Sequence, residues 1–463
     1  MQTVQPHTHM TRTTCMAAVG VLAVCLSSIT AASVSAQNRP AIQALGPVLS
    51  TSSEISGSIT NIRALPGGLL LVNSRTARQV LLMDSTFTVL KVVADSTPGS
   101  PNPYGAQGGS LIAYRGDSTL FVDPSSLSML VIDPDGNITR VMSVPRSQDA
   151  MMLTVGGLGV GGAQYSNGHL VYRGMPMQRI TGGSPMSSGG AAMAIPDTMP
   201  ILRVNLQTRV VDTLGFIRSP RVNTSFNRGD DGSIHISIEV NPLPTVDEWA
   251  VTSNGDVALV RGRDFHIDWI RADGQSVSSP KIQFDWKRLT DEDKVNLIDS
   301  VKAIRDREAA ANPNPDQERA MVSAFSSVLG AGATAGAGAT GGPVPTMRIQ
   351  VRAADAGGGG SSAQISAPVV TYVSPSDLPD YQPPFFATSV RPDADGNIWI
   401  QTIPTKPEPA GTVFDVINSN GEATARILIP EGRRLVGFGP GGVVFLANAT
   451  GSSTTLERAR VIQ

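Results

Sequence analysis

A pattern of apolar strand, polar turn and apolar strand recurs about every 50 residues along this chain, and it limits the possible folds more than any other feature. Each copy begins with an apolar segment and a glycine turn, and further short apolar segments follow, separated by polar turns. The clearest copy covers residues 110–144, with turns at 115–117 and 133–136. Glycine and aspartate suit such turns because they tolerate positive φ or hydrogen-bond their own backbone.

Six copies are recognisable by a glycine in an early turn, and these glycines are Gly68, Gly116, Gly168, Gly255, Gly396 and Gly442. The two longest gaps between them contain insertions. A period of this length with four short strands is typical of β-propeller blades. The sequence therefore predicts an all-β fold, a six-bladed β-propeller. A pair of β-sandwiches with unrelated hairpins is the alternative.

The last copy runs out of chain after three strands, which would leave an open sheet edge. Residues 41–50 are mostly apolar and belong to no copy. We therefore expect this N-terminal segment to supply the missing strand of the last blade and to close the propeller.

Residues 1–36 have the pattern of a secretory signal peptide. The apolar stretch at 16–26 is shorter than the roughly 20 residues that span a bilayer. Val34 and Ala36 then form an acceptable cleavage site before residue 37. We expect residues 37–463 to be exported, to the periplasm or beyond the cell. An uncleaved anchor is one alternative.

A lipoprotein signal that ends at Cys25 is the other alternative. Cys15 and Cys25 are the two cysteines of the chain, and both lie within the expected signal peptide. The mature chain would then contain no disulfide, so its apolar core must hold the fold.

The charge balance limits the classes of partner that the chain can bind. The 36 Lys and Arg residues against 38 Asp and Glu residues give a net charge of -2. No global basic field exists to hold nucleic acid. We expect no membrane span after signal removal, and a monomer.

Residues 290–330 interrupt the strand pattern and predict a helical insertion within the propeller. Thr290 can cap the first helix together with Asp293. A mostly apolar face is traced by Val295, Ile298, Val301 or Lys302, and Ile304 or Arg305. A second helix is expected from Asn314 onwards. We expect the two helices to pack as a hairpin on the propeller edge; a lid or a partner-docking element is the alternative. Residues 331–366 follow, rich in Gly and Ala, and predict a flexible segment.

Three residues are candidates for a site at the mouth of the propeller channel. Asp247 and Glu248 precede Trp249 at the start of a predicted channel-lining strand, where a carboxylate could bind a cation or act as a base. His235 lies in an alternating strand and could ligate a metal. For all three, a structural role at a polar outward position or a loop end is the competing interpretation. The sequence assigns no catalytic residue, no metal ligand set and no cofactor.

The chain resembles secreted bacterial six-bladed β-propeller proteins of the NHL-repeat or TolB-like type, which mostly lack an assigned function. The resemblance rests on residues 257–274, 393–400 and 436–460 and extends over nearly all of the mature chain. It implies the fold and no particular chemistry. We expect an exported, non-enzymatic propeller that binds an unidentified ligand or protein partner. The alternative is a metal-assisted hydrolase or lyase acting at the central channel.

Overall fold

The computed structural model describes residues 39–154, 162–174, 179–182, 191–194, 197–228, 234–311, 369–406 and 410–461. The expected signal peptide, the second helix of the insertion and the Gly/Ala-rich segment lie outside these residues. The chain is mostly strand, as predicted. The first strands, in chain order, are β1 Ile42–Ala44, β2 Val48–Thr51, β3 Ile55–Ser56, β4 Ile59–Ala64, β5 Leu70–Ser74, β6 Gln79–Met83, β7 Val89–Ala94, β8 Ser110–Ala113, β9 Thr119–Asp123, β10 Ser128–Ile132, β11 Ile138–Ser143, β12 Gln164–Ser166, β13 His169–Arg173, β14 Arg179–Gly182, β15 Ala191–Ala194, β16 Thr198–Asn205 and β17 Val211–Arg218.

The remaining strands contain the last three copies of the repeat. They are β18 Val222–Arg228, β19 Ile234–Val240, β20 Glu248–Val251, β21 Val257–Arg261, β22 His266–Ile270, β23 Ser276–Ser278, β24 Val369–Tyr372, β25 Val390–Pro392, β26 Ile398–Gln401, β27 Gly411–Ile417, β28 Ala423–Pro430, β29 Arg433–Gly439, β30 Val443–Thr450 and β31 Ser453–Arg460. One α-helix of the described part, α1 Asp291–Ala311, lies between β23 and β24. Three short 3₁₀ helices occur at Pro66–Gly68, Ser147–Asp149 and Pro375–Asp377.

Six of the sheets in the described part have an antiparallel four-stranded core, and each corresponds to one copy of the repeat. We number them along the chain: sheet 1 is β4–β7, sheet 2 is β8–β11, sheet 3 is β12, β13, β16 and β17, sheet 4 is β20–β23, sheet 5 is β25–β28, and sheet 6 is β29–β31 with β2. Within these four-stranded cores the strands follow one another in sequence order, except that β2 comes from the N-terminal segment.

The core consists of apolar layers between neighbouring sheets. Along β9, Leu120 and Val122 pack towards sheet 3, whereas Phe121 between them packs towards sheet 1. Successive side chains of a strand point to opposite faces, so a strand buried on both faces reads as a continuous apolar run. Similar clusters join sheets 3 and 4, sheets 4 and 5, sheets 5 and 6, and sheets 6 and 1.

The first strands of the six sheets contact one another in turn. β4 contacts β8, β8 contacts β12, β12 contacts β20, β20 contacts β25, and β29 contacts β4. The step from sheet 5 to sheet 6 is bridged by Arg391 of β25, whose Nη1 donates to the carbonyl oxygen of Leu435 in β29.

The N-terminal segment contributes to two sheets, where the sequence predicted one. β2 pairs antiparallel with β31, the last strand of sheet 6, as expected for the missing strand. β1 pairs parallel with β28 of sheet 5. Just before β1, Arg39 forms an ion pair of 3.0 Å with the fully buried Asp415 of β27. The segment is thus held at several points along its length.

A seventh sheet was not predicted. In this accessory sheet β14, β15, β18 and β19 are antiparallel, and β24 adds parallel to β19. Its strands come from the insertions that enlarge the gaps between repeat copies.

Helix α1 begins at the predicted position but buries only part of the predicted face. Thr290 and Asp293 form the expected cap: the Asp293 carboxylate accepts from the Thr290 N–H at 2.9 Å, and the Thr290 hydroxyl accepts from the Asp293 N–H at 3.1 Å. These hydrogen bonds lower the pKa of Asp293. Val295 and Ile304 of the predicted apolar face are exposed, whereas Ile298 is buried.

The buried face of α1 includes two long basic residues. Lys294 is buried and forms an ion pair of 2.8 Å with Asp380. Arg305 donates to the carbonyl oxygen of Val370 at 2.9 Å. Their aliphatic stems can cover apolar surface while their charged ends find acceptors. Arg305 was one of the predicted alternatives for this face, whereas the spacing of apolar residues left out Lys294. No helix among the described residues is long and apolar enough to cross a membrane.

Candidate functional site

The first strands of the six sheets surround one cavity of about 530 Å³. Sheets 1, 4, 5 and 6 contribute mainly the later part of the first strand or the residues that follow it, sheet 2 contributes all of β8, and sheet 3 contributes the start of β12 and the residues before it. We call this space the central cavity. Its lining combines charged, polar and aromatic side chains, among them Arg63, Arg391, Asp393, Gln164, Tyr114 and Tyr165.

Arg391 is the most buried of the charged residues in this lining. The residue is only 9% exposed. Nη1 donates to the Leu435 carbonyl oxygen, whereas Nε has no hydrogen-bond partner in the described part of the chain. The guanidinium lies over the ring of Phe414, 5.9 Å from its centroid. Burial, with a smaller contribution from the charge of Arg434, lowers the pKa of Arg391 to about 10.

Two further arginines lie close to this cavity and are bonded to backbone carbonyls. Arg63 in the lining donates from Nη2 to the Ser118 carbonyl oxygen at 2.9 Å, and its Nε has no partner among the described residues. Burial lowers its pKa to about 10, and the charge of Asp117 acts in the opposite direction. Arg434 donates from Nη2 to the carbonyl oxygen of Ile59 at 2.5 Å. Burial also lowers the pKa of Arg434.

Asp393 is the carboxylate of the described cavity lining, and its oxygens are occupied by the adjoining turn. Oδ1 accepts from the backbone N–H groups of Asp395 and Asn397 at 2.9 and 2.8 Å. Oδ2 accepts from the Asn397 amide at 2.9 Å and from the Trp399 indole at 3.1 Å. Asp395 in turn accepts from the N–H groups of Gly441 and Gly442. Both aspartates therefore hold turns.

Aromatic rings form another part of the wall. The rings of Tyr114 and Tyr165 lie 4.7 Å apart between centroids, with planes inclined at 58°. Arg115 donates from Nε to the Tyr165 hydroxyl at 2.9 Å, which ties sheet 2 to sheet 3. Phe438 of sheet 6 also lines the cavity and packs edge-on against Trp399 at 5.1 Å.

Glu248 lies at the start of β20, as predicted, while the cavity is lined by the end of this strand. Its side chain is 1% exposed. Both carboxylate oxygens accept from Nη2 of Arg173, at 2.9 and 3.1 Å, and Oε1 also accepts from the backbone N–H of Thr388 at 2.9 Å. One carboxylate thus joins β13 of sheet 3, β20 of sheet 4 and the segment before β25 of sheet 5.

Asp247 has three donors of its own. Oδ2 accepts from the Arg218 backbone N–H at 3.0 Å and from Nη1 of Arg261 at 2.9 Å, and Oδ1 accepts from the Gly262 N–H at 3.1 Å. Its side chain is therefore engaged with sheets 3 and 4.

His235 lies in a different sheet from the other two candidates. It is an exposed residue of β19 in the accessory sheet, paired in register with Asn227 of β18. Asp247 and Glu248 belong to the edge of sheet 4. None of these three candidates is among the described residues that line the central cavity. Within the described residues, no group of three or more His, Cys, Asp or Glu side chains is arranged to hold a metal ion.

No protein-family model and no curated protein sequence matches this chain. Solved structures do match. A member of the DUF4221 family from Bacteroides vulgatus has a TM-score of 0.40 and 9% identity over 92% of this chain and 99% of that chain. A protein from Bacteroides fragilis that is named as an exported protein has a TM-score of 0.38 and 9% identity over 91% and 100%. Virginiamycin B lyase from Staphylococcus aureus has a TM-score of 0.34 and 10% identity over 89% and 100%. TM-scores and identities this low do not allow the activity of any of these proteins to be assigned to this chain.

Proposed function

We propose that the six sheets form a six-bladed β-propeller of the NHL-repeat or TolB-like type, closed by the pairing of β2 with β31. The support is the cyclic order of contacts between the first strands and the apolar layer between each pair of neighbouring sheets. The pairing of β2 with β31 gives the last blade four strands, drawn from both ends of the chain. The signal pattern of residues 1–36 supports export of this propeller.

We propose further that the exported propeller binds a small molecule in the central cavity and does not transform it. The observation that carries this proposal is that all six sheets contribute to one cavity of about 530 Å³. Small-molecule sites typically have volumes of about 300–1,000 Å³, with mostly apolar or aromatic walls and a few polar groups that orient the ligand. Tyr114, Tyr165 and Gln164 supply such groups here.

A binding role fits the charged groups of the cavity better than acid–base catalysis does. General acid–base catalysis needs a group within hydrogen-bond reach of the substrate and able to exchange a proton. The carboxylate of Asp393 already accepts four hydrogen bonds from its own turn. The arginines remain protonated at neutral pH, so they can hold a ligand but cannot act as a base.

The test is direct titration of the purified protein with three aromatic probes of different charge. These are naphthalene-2-carboxylate, the neutral naphthalene-2-carboxamide and the cationic 2-naphthylmethylammonium, each measured by isothermal titration calorimetry. We expect at least one probe to bind with a stoichiometry of one. If none binds at millimolar concentration, the proposed binding function is wrong.

A cavity-filling variant locates the binding. Ala113 ends β8 and lines the cavity, so Ala113→Trp places an indole ring into this space and should abolish binding. Val141→Trp is the matched control, because Val141 lies on the outermost strand of the same sheet and is 63% exposed. Equal binding by both variants would place the probe elsewhere.

A further inference from the structure

We infer that the ligand of the central cavity is an organic anion with a planar apolar body, held through its carboxylate or similar acidic group by Arg391. This inference rests on the proposed binding function and specifies its ligand class. It follows from the charges around the cavity and from the aromatic part of its wall.

The cavity has an excess of positive charge that the described part of the chain does not neutralise. Arg391 and Arg63 in the lining, and Arg434 near it, form no ion pair with a described carboxylate. In contrast, Arg173 pairs with the buried Glu248 and Arg271 pairs with the buried Asp256. Asp393 lines the same cavity, but its oxygens are directed to the donors of its own turn. Burial is the larger cause of the lowered pKa of Arg391, and repulsion from the neighbouring charge of Arg434 adds to it.

A guanidinium removed from water without a counter-ion is unfavourable unless a ligand supplies the missing charge and acceptors. Arg391 has one N–H group committed to the Leu435 carbonyl and an Nε without a described partner. The planar fork of donors matches the two oxygens of a carboxylate or the oxygens of a phosphate. The acceptor that is missing in the protein is thus the one that an anionic ligand carries.

The aromatic wall indicates what the rest of the ligand is like. Tyr114 and Tyr165 are packed together, and Arg115 fixes the Tyr165 hydroxyl. Rings held in this way offer apolar surface for stacking at little cost in side-chain entropy. A small inorganic anion would leave this wall and most of the 530 Å³ unused. A planar body attached to the acidic group would contact it.

The test compares naphthalene-2-carboxylate with its neutral amide and with inorganic phosphate, by titration calorimetry of the purified protein. We expect the carboxylate to bind at least about tenfold more tightly than the amide, a difference of about 1.4 kcal/mol, and more tightly than phosphate. Binding of the amide or of 2-naphthylmethylammonium with equal affinity would overturn the inference and leave the proposed binding function intact. If inorganic phosphate bound as tightly as naphthalene-2-carboxylate, the inference that the ligand has a planar apolar body would be wrong. Failure of all probes would instead overturn the binding function itself.

Substitutions of Arg391 test whether this residue supplies the positive charge that holds the ligand. Arg391→Met should lose the preference for the carboxylate over the amide, whereas Arg391→Lys should keep part of it because the charge remains. Arg458→Met is the matched control: Arg458 also has a buried Nε without a described partner but lies on β31, away from the lining. Should Arg391→Met misfold, Arg63→Met tests the same charge excess. An unchanged preference in a folded Arg391→Met protein would contradict the role of this residue.

Discussion

The Nη1 of Arg391 donates a hydrogen bond to the backbone carbonyl oxygen of Leu435. The pairing of β29 with β30 shifts register between Leu435 and Gly437, so this carbonyl lies beside an irregularity of the sheet. Arg391 thereby joins the first strands of sheets 5 and 6 while its guanidinium remains buried without a described carboxylate. One side chain links the packing of the sheets to the charge of the central cavity.

Arg391 should reduce the stability of the ligand-free protein. The lowering of its pKa to about 10 corresponds to a desolvation cost of the order of 3 kcal/mol. Removing the arginine leaves the carbonyl oxygen of the buried Leu435 without this donor, which costs about 1–3 kcal/mol. We therefore expect Arg391→Met to raise the free energy of unfolding modestly, by at most about 2 kcal/mol, measured by urea denaturation without ligand. Arg203→Met, which removes an exposed ion pair with Asp212, is the control and should change it little. A loss of stability in Arg391→Met would show that the arginine is structural.

Glu248, unlike Arg391, should stabilise the folded protein. Glu248→Gln leaves Arg173 without its carboxylate in a buried position and weakens the hydrogen bond to the Thr388 N–H. Thr388 has φ of 67°, a conformation that β-branched residues rarely adopt, so its backbone depends on surrounding contacts. We expect the free energy of unfolding to fall by about 3 kcal/mol, with unchanged probe affinity in the folded protein.

The control for this change is Glu422→Gln, because Glu422 accepts from Asn418 at an exposed turn and should cost little. If Glu248→Gln abolished probe binding while keeping full stability, the channel-mouth role that the sequence suggested for Glu248 would be favoured over the structural one.

Removal of residues 37–52 should strongly destabilise the protein. The deletion removes β1, β2 and the ion pair of Arg39 with the buried Asp415. It exposes the edges of β28 and β31 and breaks the pairing of the two chain ends. We expect a large fall in melting temperature, measured by differential scanning calorimetry. If the truncated protein had the same melting temperature as the full mature chain, closure through β2 would be refuted.

We expect no tightly bound metal ion after dialysis without chelator, measured by elemental analysis of the purified protein. The carboxylate oxygens of Asp247 and Glu248 accept hydrogen bonds from arginine side chains and backbone N–H groups. Few lone pairs therefore remain for a cation. One calcium or zinc ion per chain, removed by chelator with a clear fall in melting temperature, would contradict this. The metal-assisted hydrolase or lyase would then become the better hypothesis, and Asp247 and Glu248 the first residues to substitute.

The repeat allowed much of the fold to be predicted, because strands buried on both faces produce short continuous apolar runs such as residues 120–122 between turns. The accessory sheet escaped prediction for the converse reason. Its strand β24 pairs with β19, more than a hundred residues earlier in the chain, and pairings of that kind leave no local pattern. The face of α1 was misjudged because Lys294 is buried through an ion pair with Asp380, which no periodicity of apolar residues reveals.

The candidate site depended even more on contacts between distant residues. Asp247 and Glu248 were candidates because they are charged and stand at the start of a first strand. In the structure they form ion pairs with Arg261 and Arg173. Ion pairs between residues that are distant in the chain leave no pattern in the sequence. Arg391 was missed although a signal existed: it stands between Val390 and Pro392, shortly before the glycine turn of the fifth copy, where a first strand would be expected. In this chain a charged residue within a first strand lines the cavity, whereas Asp247 and Glu248 at the start of one do not.

A crystal structure with 6-bromonaphthalene-2-carboxylate tests the central claim most directly, because anomalous scattering locates the bromine without assumptions about the protein. We predict one bromine peak inside the central cavity, with the carboxylate against Arg391 and the ring system against Tyr114 and Tyr165. A bound probe whose bromine lies outside this cavity, or a carboxylate that faces away from Arg391, would contradict the account.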